Sequence, residues 1–355
     1  MCEDKKSSIL KRCIYTPKKY RDGLAKRTRL QKNCGMICKK TRRNYIMDNM
    51  KKRTAAGTAM ALVGGAFWGL SGVCGQYLFQ TKEMTATWLV PVRLFVSGLL
   101  LLAFFLAKDA KRTLSVWKNK KTAIDLLIYS FAGIMLCQYA YFQTIEWSNA
   151  GTATVVQYIG PALIVVFVCL TTHRKPRPKE IVAVVLALAG IFVIATHGNP
   201  GTLVLSRRAL IMGLLSAFAV VVYTVQPVEL LKQYEAPMIL AWGMLIGGTV
   251  LMLAFQPWNH MPIVDAKMIE IVLYIIVFGT MAGFSMYMQS VKLIGGVKAG
   301  LYACIEPVAA TILSVVWMKV QFAPMDLLGF VLILATIFVL AIPDREERRG
   351  AGIRG

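Results

Sequence analysis

Ten apolar segments constrain this chain more than any other feature, because each is long enough to cross a lipid bilayer. A helix needs about 20 predominantly apolar residues to span the bilayer core. Of the 355 residues, 56% are hydrophobic and only 17% are charged. The sequence therefore predicts an all-α integral membrane protein with ten transmembrane helices. The segments are 57–79, 88–107, 123–144, 152–171, 180–196, 209–228, 237–255, 268–291, 299–318 and 325–342.

The second half of the chain repeats the plan of the first. Residues 139–195 align without gaps on 285–341, with 14 identities in 57 positions. A half with five helices has an odd number, so the second half enters the membrane from the opposite side. We therefore predict two five-helix inverted-topology repeats, which in transporters hold the substrate near the midplane where the repeats meet. The repeats are predicted to span 57–196 and 209–342.

Lys and Arg residues outside the apolar segments fall mainly on one side of the predicted membrane. If the N-terminus is cytoplasmic, the cytoplasmic segments hold 35 of them and the other side holds 5. Basic loops favour the cytoplasmic side. The sequence thus predicts a multi-pass protein of the cell membrane with both termini cytoplasmic. The net charge of +23 reflects this bias and does not indicate nucleic-acid binding.

Residues 1–53 carry many charges and no apolar core, which predicts a basic, disordered cytoplasmic tail rather than a signal peptide. Three interpretations are open. The tail binds anionic lipid, or its four cysteines bind zinc despite their irregular spacing. In the third, which we favour, translation starts at Met47 or Met50 and residues 1–46 are an upstream extension without function. Residues 343–355 are predicted to form a second cytoplasmic tail.

Several motifs together resemble the EamA-type transporters of the drug/metabolite transporter superfamily. They are FWGLSGV at 67–73, WLVPVRLFVSGLLLL around Arg93, YFQTIEWSNAGTATVVQYIGPAL in helices 3 and 4, and GLYACIEPVAATILSVV in helix 9. Each motif is weak alone, but their order and repetition cover nearly everything after the tail. The resemblance implies a ten-helix exporter of amino acids or metabolites.

The same resemblance implies a central cavity lined mainly by helices 1–4 and 6–9, with helices 5 and 10 more peripheral. It also implies that no ATP site is present, and no Walker-type GxxxxGK[ST] occurs in the sequence. Units of this type often end helices 4 and 9 with Gly-Glu. This chain has TTHRK and MKVQF there, so no role of that acid is carried over.

Two ionisable residues inside apolar segments are candidates for the site, because charges in a bilayer usually face a cavity or a partner. Arg93, near the outer end of helix 2, either contacts a substrate carboxylate or a buried acid, or snorkels to the interface. Glu306 in helix 9 either exchanges a proton during transport or makes a structural hydrogen bond. Tyr302 lies four residues before Glu306, on the same helix face.

Pro161 and Pro307 occupy equivalent places in the two repeats. A proline cannot donate a backbone hydrogen bond, so each leaves a carbonyl without its helical partner, at Gln157 and at Ala303. Irregular backbone at membrane depth is tolerated where it is buried or lines water. We therefore predict that these broken turns and Gln157 form walls of the cavity, although prolines can also serve only to bend helices.

Further polar and aromatic residues share helix faces at spacings of three or four. Such a lining suits a small, partly apolar organic solute, although each residue alone can also serve as an interhelical contact. These candidates are Trp68 and Ser71 in helix 1, Gln138 and Tyr141 in helix 3, Tyr223 and Gln226 in helix 6, and Ser285 and Gln289 in helix 8.

The function that these features favour is secondary active transport, with export of a small metabolite such as an amino acid by alternating access. The expected partners are that small molecule, the lipid bilayer and a proton or other ion gradient; no cofactor or metal is expected. The alternatives are a flippase for lipids or lipid-linked solutes, a membrane-embedded enzyme, and a receptor. Catalysis is disfavoured because all three histidines lie in predicted loops. Substrate, coupling ion, direction and oligomeric state are open.

Overall fold

A computed structural model describes residues 29–199, 203–294 and 296–342. The chain forms two compact units, Met1–Gly57 and Thr58–Gly355. Parts of the two predicted tails lie outside the described residues. Residues 29–53 are helical, whereas the sequence predicted disorder up to residue 53. Extending an existing helix costs far less free energy than starting one, which accounts for this difference.

Ten helices in the described part of the chain are long and apolar enough to cross a membrane, as the sequence predicted. The first is the apolar part of the helix Arg29–Thr81. We number the helices α1 (Met50–Thr81), α2 (Ala86–Trp117), α3 (Lys120–Trp147), α4 (Ala150–Thr171), α5 (Pro178–Thr196), α6 (Arg207–Gln233), α7 (Ala236–Phe255), α8 (Ala266–Ile294), α9 (Lys298–Val316) and α10 (Pro324–Ala341).

The protein is an all-α integral membrane protein, and its two five-helix halves run in opposite senses through the membrane. We call the side on which α2, α4 and α10 end the basic face, because segments 108–122 and 172–180 lie there. The other side is called the opposite face. Large apolar side chains such as Leu170, Leu188 and Phe338 are exposed on the outside of the bundle. A lipid environment accommodates such a surface.

The halves pack on each other through equivalent helices. The most extensive contacts join α2 to α7 and α5 to α10. At the first of these contacts the backbones touch directly. A Cβ added to Gly98 would collide with the backbone of Leu245, and one added to Gly248 would collide with that of Phe95. Small residues at helix crossings permit this close approach within a membrane.

The first helix of each half packs among helices of the other half. In one direction, α1 contacts α9 where Gly69 lies against the backbone oxygen of Glu306, 2.7 Å from the position a Cβ would take. In the other direction, α6 contacts α4 where Val220 lies 2.9 Å from the position of a Cβ on Gly160. Each half therefore completes the other, and the centre of the bundle is shared between them.

Helices α3 and α8 contain π-helical segments at equivalent positions, Tyr129–Met135 and Ile275–Ala282. Gly133 in the first segment leaves room for Tyr223 of α6, and Gly279 in the second leaves room for Ser71 of α1. A π segment changes the angle between successive side chains, and such segments are frequent at functional sites. Here they turn the following residues of α3 and α8 relative to a regular α-helix.

Helices α4 and α9 are both broken near the middle. The first consists of Ala150–Gln157 and Gly160–Thr171, and the second is interrupted at Cys304, before Ile305–Val316. In both helices a proline lies in the first turn after the break. The paired breaks follow from the missing N–H of proline.

Candidate functional site

A cavity of about 420 Å³ lies between the two halves. Its lining is mainly apolar, with polar side chains from several helices, a composition typical of small-molecule sites. The lining residues are Trp68, Ser71, Arg93, Cys137, Gln138, Tyr141, Phe142, Gln157, Tyr158, Pro161, Ile164, Val220, Tyr223, Thr224, Gly279, Phe284, Tyr287, Gly300, Leu301, Ala303, Glu306, Ile337, Leu340 and Ala341.

The cavity is buried at one end and partly exposed at the other. Arg93 and Gln138, in the half of the membrane nearer the opposite face, are almost fully buried. Lining residues nearer the basic face, such as Thr224 and Leu340, are exposed or half-buried. The cavity therefore extends from the middle of the bundle towards the basic face.

The opposite face is closed by contacts between the ends of α1, α4 and α9. The rings of Tyr77 and Trp317 are stacked with their centroids 5.4 Å apart. The Gln76 Oε1 accepts hydrogen bonds from the Ala150 backbone N–H at 3.0 Å and from the Ser314 hydroxyl at 3.4 Å. These bonds join helices of both halves, so opening this face requires that they break.

An ion pair joins Lys82 to Asp265 between the membrane-spanning segments on the opposite face. The hydrogen bond from Lys82 lowers the pKa of the Asp265 carboxyl, and the same bond raises the pKa of the Lys82 ammonium. The Asp265 side chain also caps α8 by accepting from the Met268 N–H at 2.8 Å.

Most of the residues singled out from the sequence lie at the cavity. The structure brings together Trp68, Ser71, Arg93, Gln138, Tyr141, Gln157, Pro161, Tyr223 and Glu306. It leaves Gln226, Ser285, Gln289, Tyr302 and Pro307 outside the lining.

Three of those five lie on helix faces that do not line the cavity. Ser285 and Gln289 share one face of the helix that follows the π segment of α8, but Phe284 and Tyr287, on another face, line the cavity instead. The break at Cys304 separates Tyr302 from the face of Glu306 and leaves Tyr302 39% exposed.

The other two residues lie outside for different reasons. The side-chain amide of Gln226 donates to the backbone oxygen of Asp125 at 3.0 Å and so ties α6 to α3. Pro307 is buried within the packing of α9 but does not reach the cavity.

The break in α9 is closed by a tyrosine from the break in α4. The Tyr158 hydroxyl lies 2.9 Å from the backbone oxygen of Ala303, the carbonyl that Pro307 leaves without a helical partner. It also lies 3.1 Å from Glu306 Oε2. The two broken turns of the repeat are thus joined directly across the cavity.

The Tyr158 hydroxyl has one hydrogen for these two acceptors. When it donates to Ala303, the contact with Glu306 is a hydrogen bond only if the Glu306 carboxyl is protonated and donates to the hydroxyl oxygen. When Glu306 is ionised, the hydroxyl donates to the carboxylate and the Ala303 carbonyl loses its partner. The arrangement therefore links the protonation of one side chain to the hydrogen bonding of the α9 break.

Gln157 holds the first half of α4 in place. Its side-chain amide nitrogen donates to the Ser216 hydroxyl of α6 and lies 3.4 Å from the Cys137 sulfur of α3. The Ser216 hydroxyl in turn donates to the backbone oxygen of Cys137 at 3.3 Å. Gln157 thus lines the cavity, as predicted, and its side chain also joins α4 to α3 and α6.

Arg93 is 2% exposed, so it does not snorkel to the interface. Its Nη2 donates to Gln138 Oε1 at 3.2 Å, and its guanidinium lies over the Phe142 ring, 4.3 Å from the centroid. Its Nε and Nη1 have no hydrogen-bond partner among the described residues. A position a few residues into α2 looks shallow in the sequence, but α3 covers the side chain.

Several lining residues were not predicted. Tyr287 could have been found, because it is the repeat equivalent of Tyr141 and both line the cavity. Phe284 carries the same signal, because it is the repeat equivalent of Gln138, whereas Tyr158 lacks one. Helix α10 was expected to be peripheral, yet its last turns contribute Ile337 and Leu340. That expectation was wrong for the end of α10, which packs against the first part of α9.

Ten membrane-spanning helices in two inverted halves around a shared cavity define a membrane transporter. A family model, the EamA-like transporter family, matches residues 55–196 and 207–342, which are the two halves. The chain therefore belongs to that family.

Two similar proteins are also named as transporters. The chain is 36% identical over 299 residues to the uncharacterized inner membrane transporter YicL of Salmonella typhimurium, covering 84% of this chain and 99% of that protein. It is 22% identical to the uncharacterized transporter YetK of Bacillus subtilis, covering 64% and 71% of the two chains. A solved crystal structure has the same fold, with a TM-score of 0.55 at 17% identity, covering 83% of this chain and 98% of that one.

Proposed function

We propose that this protein is a secondary active transporter that exports a small metabolite, such as an amino acid, by alternating access. The observation that carries the proposal is the cavity of about 420 Å³ between the halves, whose lining extends from the middle of the bundle towards the basic face. Inverted-repeat transporters bind substrate where the repeats meet and expose it alternately by rocking one half against the other.

The state of the cavity follows if the basic face is cytoplasmic, as the distribution of Lys and Arg favours. The partly exposed end of the cavity then faces the cytoplasm, and the contacts of Gln76 and Tyr77 close the outside. This is the state in which an exporter receives its substrate. In the outward state we expect these contacts to be broken and the end of α10 to close the cytoplasmic side.

We propose that protons couple to this cycle through Glu306. Its carboxyl is the acid at the break of α9, and the single hydrogen of Tyr158 is shared between it and the Ala303 carbonyl. Protonation of Glu306 lets Tyr158 hold the broken turn of α9, and loss of that proton releases it. A change in one charge thus biases a helix break that both halves contact.

Transport is proposed here in preference to catalysis. The similar proteins from Salmonella typhimurium and Bacillus subtilis are both named as transporters. None of the three histidines, His173, His197 and His260, lies among the residues that line the cavity. His197 instead contacts Asp326 at 2.8 Å, between the ends of α5 and α10.

The test is efflux of radiolabelled amino acids from liposomes that contain the purified protein, under an imposed pH gradient. We expect Gln157→Ala to reduce efflux at least about tenfold, because the hydrogen bonds of the side-chain amide that hold α4 are lost. Gln289→Ala is the matched control, because Gln289 is exposed and outside the lining. Efflux by Gln157→Ala at the rate of the control would remove Gln157 from the site. If the unaltered protein moves no solute under any gradient, the transporter proposal fails.

A further inference from the structure

In the part of the chain that the structure describes, four of the ten buried side-chain polar atoms without a hydrogen-bond partner belong to residues that line the cavity. Among the described residues, Arg93 Nε and Nη1, Trp68 Nε1 and Ser71 Oγ are buried and have no hydrogen-bond partner. Their three side chains, from α1 and α2, line the same cavity. Unsatisfied buried donors are rare in folded proteins, and each requires a physical explanation.

Arg93 differs from the other two residues because its buried side chain carries a charge. A buried guanidinium is costly unless it is paired. Among the described residues, no carboxylate lies within ion-pair distance of Arg93. Glu306, which lines the same cavity, is engaged by Tyr158. The negative charge that Arg93 requires is therefore expected to enter from the cavity.

The orientation of Arg93 is fixed before any ligand enters. Its guanidinium lies over the Phe142 ring, and one nitrogen is held by Gln138. The hydrogens of Nε and Nη1 remain available for an acceptor. Cations in this position over an aromatic ring are oriented by the ring face. A site held in place in this way loses little conformational freedom when a ligand binds.

Two glycines of α8 leave room for the two neutral donors of α1. Ser71 occupies the space in which a Cβ on Gly279 would lie, and the Trp68 Nε1 lies 2.8 Å from the position of a Cβ on Gly283. Both side chains therefore depend on the absence of a side chain on the facing helix. A substitution at either glycine would push a donor out of position.

We propose that Arg93, Trp68 and Ser71 form a carboxylate-binding subsite, and that the substrates are monocarboxylates with an apolar or aromatic body. This rests on the proposed transport function. The two oxygens of a carboxylate accept from several donors at once, and charged hydrogen bonds to Arg are among the strong ones. Phe284, Tyr287 and Val220 supply apolar surface for the rest of the molecule.

A binding experiment on the full-length protein in detergent compares probes that share an apolar body and carry a carboxylate, a neutral amide or an ammonium head group. The probes are 3-phenylpropionate, 3-phenylpropanamide and phenethylammonium, each repeated with an indole and an isobutyl body. We expect thermal shifts and calorimetry to show binding of the carboxylates at least about tenfold tighter than of the amides, since ligands of the folded state raise its apparent stability. The ammonium compounds are expected to bind most weakly.

Variants then assign the preference to the subsite. Arg93→Gln should lose the preference for carboxylate over amide while binding the amide as before, and Arg93→Lys should keep part of it. Ser71→Ala and Trp68→Phe, which leave the charge in place, should each weaken carboxylate binding several-fold. Arg208→Gln is the control, because Arg208 is exposed on α6.

Two results would overturn the subsite. One is a panel in which no carboxylate binds the unaltered protein more tightly than its amide. The other is an Arg93→Gln protein that keeps the preference. These outcomes can be distinguished from a failure of the transport proposal. Transport of a solute without a preference for carboxylates would contradict only the subsite. Tight binding of carboxylates without flux under any gradient would contradict only the transport proposal.

Discussion

The broken turns of α4 and α9 are equivalent in the repeat, yet only one of them carries an ionisable side chain. Pro161 and Pro307 lie at the same place in the two halves, and each is preceded by a different residue, Gly160 or Glu306. The backbone breaks because proline lacks an N–H, and this happens in both copies. The ionisable side chain beside the break is present in one copy only.

The packing around the two breaks explains how this difference is accommodated. At the α4 break the glycine is on the broken helix itself, because Val220 of α6 leaves no room for a Cβ on Gly160. At the α9 break the glycine is on the partner helix, where Gly69 of α1 lies against the backbone of Glu306. Moving the small residue to the partner helix makes space for a larger side chain on the break.

Exchanging the two residues is expected to have the largest effect. Gly160→Glu should leave almost no folded protein, because overpacking and a buried, unpaired carboxylate together cost about 3 kcal/mol or more. Glu306→Gly should fold, since it removes a side chain, but it should lose transport. Size-exclusion chromatography of detergent extracts measures the folded yield of both variants, and efflux from liposomes measures transport. Equal yields for the two variants would show that the breaks offer equal space.

Removing only the ionisation of Glu306 tests whether the asymmetry drives transport. Glu306→Gln keeps the shape of the side chain but cannot release a proton. We expect efflux from liposomes to stop responding to an imposed pH gradient, while substrate binding is retained. Glu270→Gln serves as the control, because Glu270 is exposed and pairs with Lys267 in the same helix. A full pH response in Glu306→Gln would assign the coupling to another group.

Removing the hydroxyl that joins the two breaks should have a smaller effect. Tyr158→Phe leaves the Ala303 carbonyl unsatisfied, which we expect to cost about 1–3 kcal/mol. Thermal unfolding in detergent measures the loss. Tyr302→Phe removes the same group from an exposed position and should change the unfolding temperature little. If both variants unfold alike, the contact between the breaks contributes nothing to stability.

The smallest effect is expected at the caps of α3 and α8, which are also repeat equivalents. Asn119 caps α3 with a neutral side chain, whereas Asp265 caps α8 and pairs with Lys82. Asp265→Asn replaces the charged cap of α8 with the neutral residue that caps α3. The lowered pKa of Asp265 means that its contribution is present above the usual aspartate pKa of about 3.9 and is lost as pH falls through the lower folded value.

The raised pKa of Lys82 means that its contribution is complete below about pH 10.4 and is lost as pH rises through the higher folded value. The difference in unfolding temperature between Asp265→Asn and the unaltered protein should therefore be constant between about pH 5 and 9. It should shrink in high salt, because exposed charges are screened. A difference that varies across this window would point to other titrating groups.

The apolar pattern was sufficient to predict ten spanning helices and their inversion, because both depend only on segment length and number. The faces of α3 were also predictable. Gln138 and Tyr141 lie in Leu136–Trp147, a regular α-helix, so a spacing of three places them together. The same reasoning failed for Tyr302, because the break at Cys304 changes the angle between it and Glu306. Ser285 and Gln289 do share a face of the regular helix Gly283–Ile294, but it is not the face that lines the cavity.

The contacts that give the site its chemistry join residues far apart in the chain. Tyr158 reaches Ala303 and Glu306 in the other half, and only the packed helices bring them together. Position along a helix likewise gave the depth of Arg93 but not its covering by Phe142 and Gln138. Sequence periodicity shows which side of a helix a residue is on, and not which neighbour lies there.

The single hydrogen of Tyr158 makes that hydroxyl a natural spectroscopic reporter. A hydroxyl that donates to a carboxylate forms a stronger bond than one that donates to an amide carbonyl. Its O–H stretching vibration is therefore expected at lower frequency whenever Glu306 is ionised. Infrared difference spectra of the protein, with Tyr158→Phe to assign the band, would follow the state of the α9 break through one unlabelled bond.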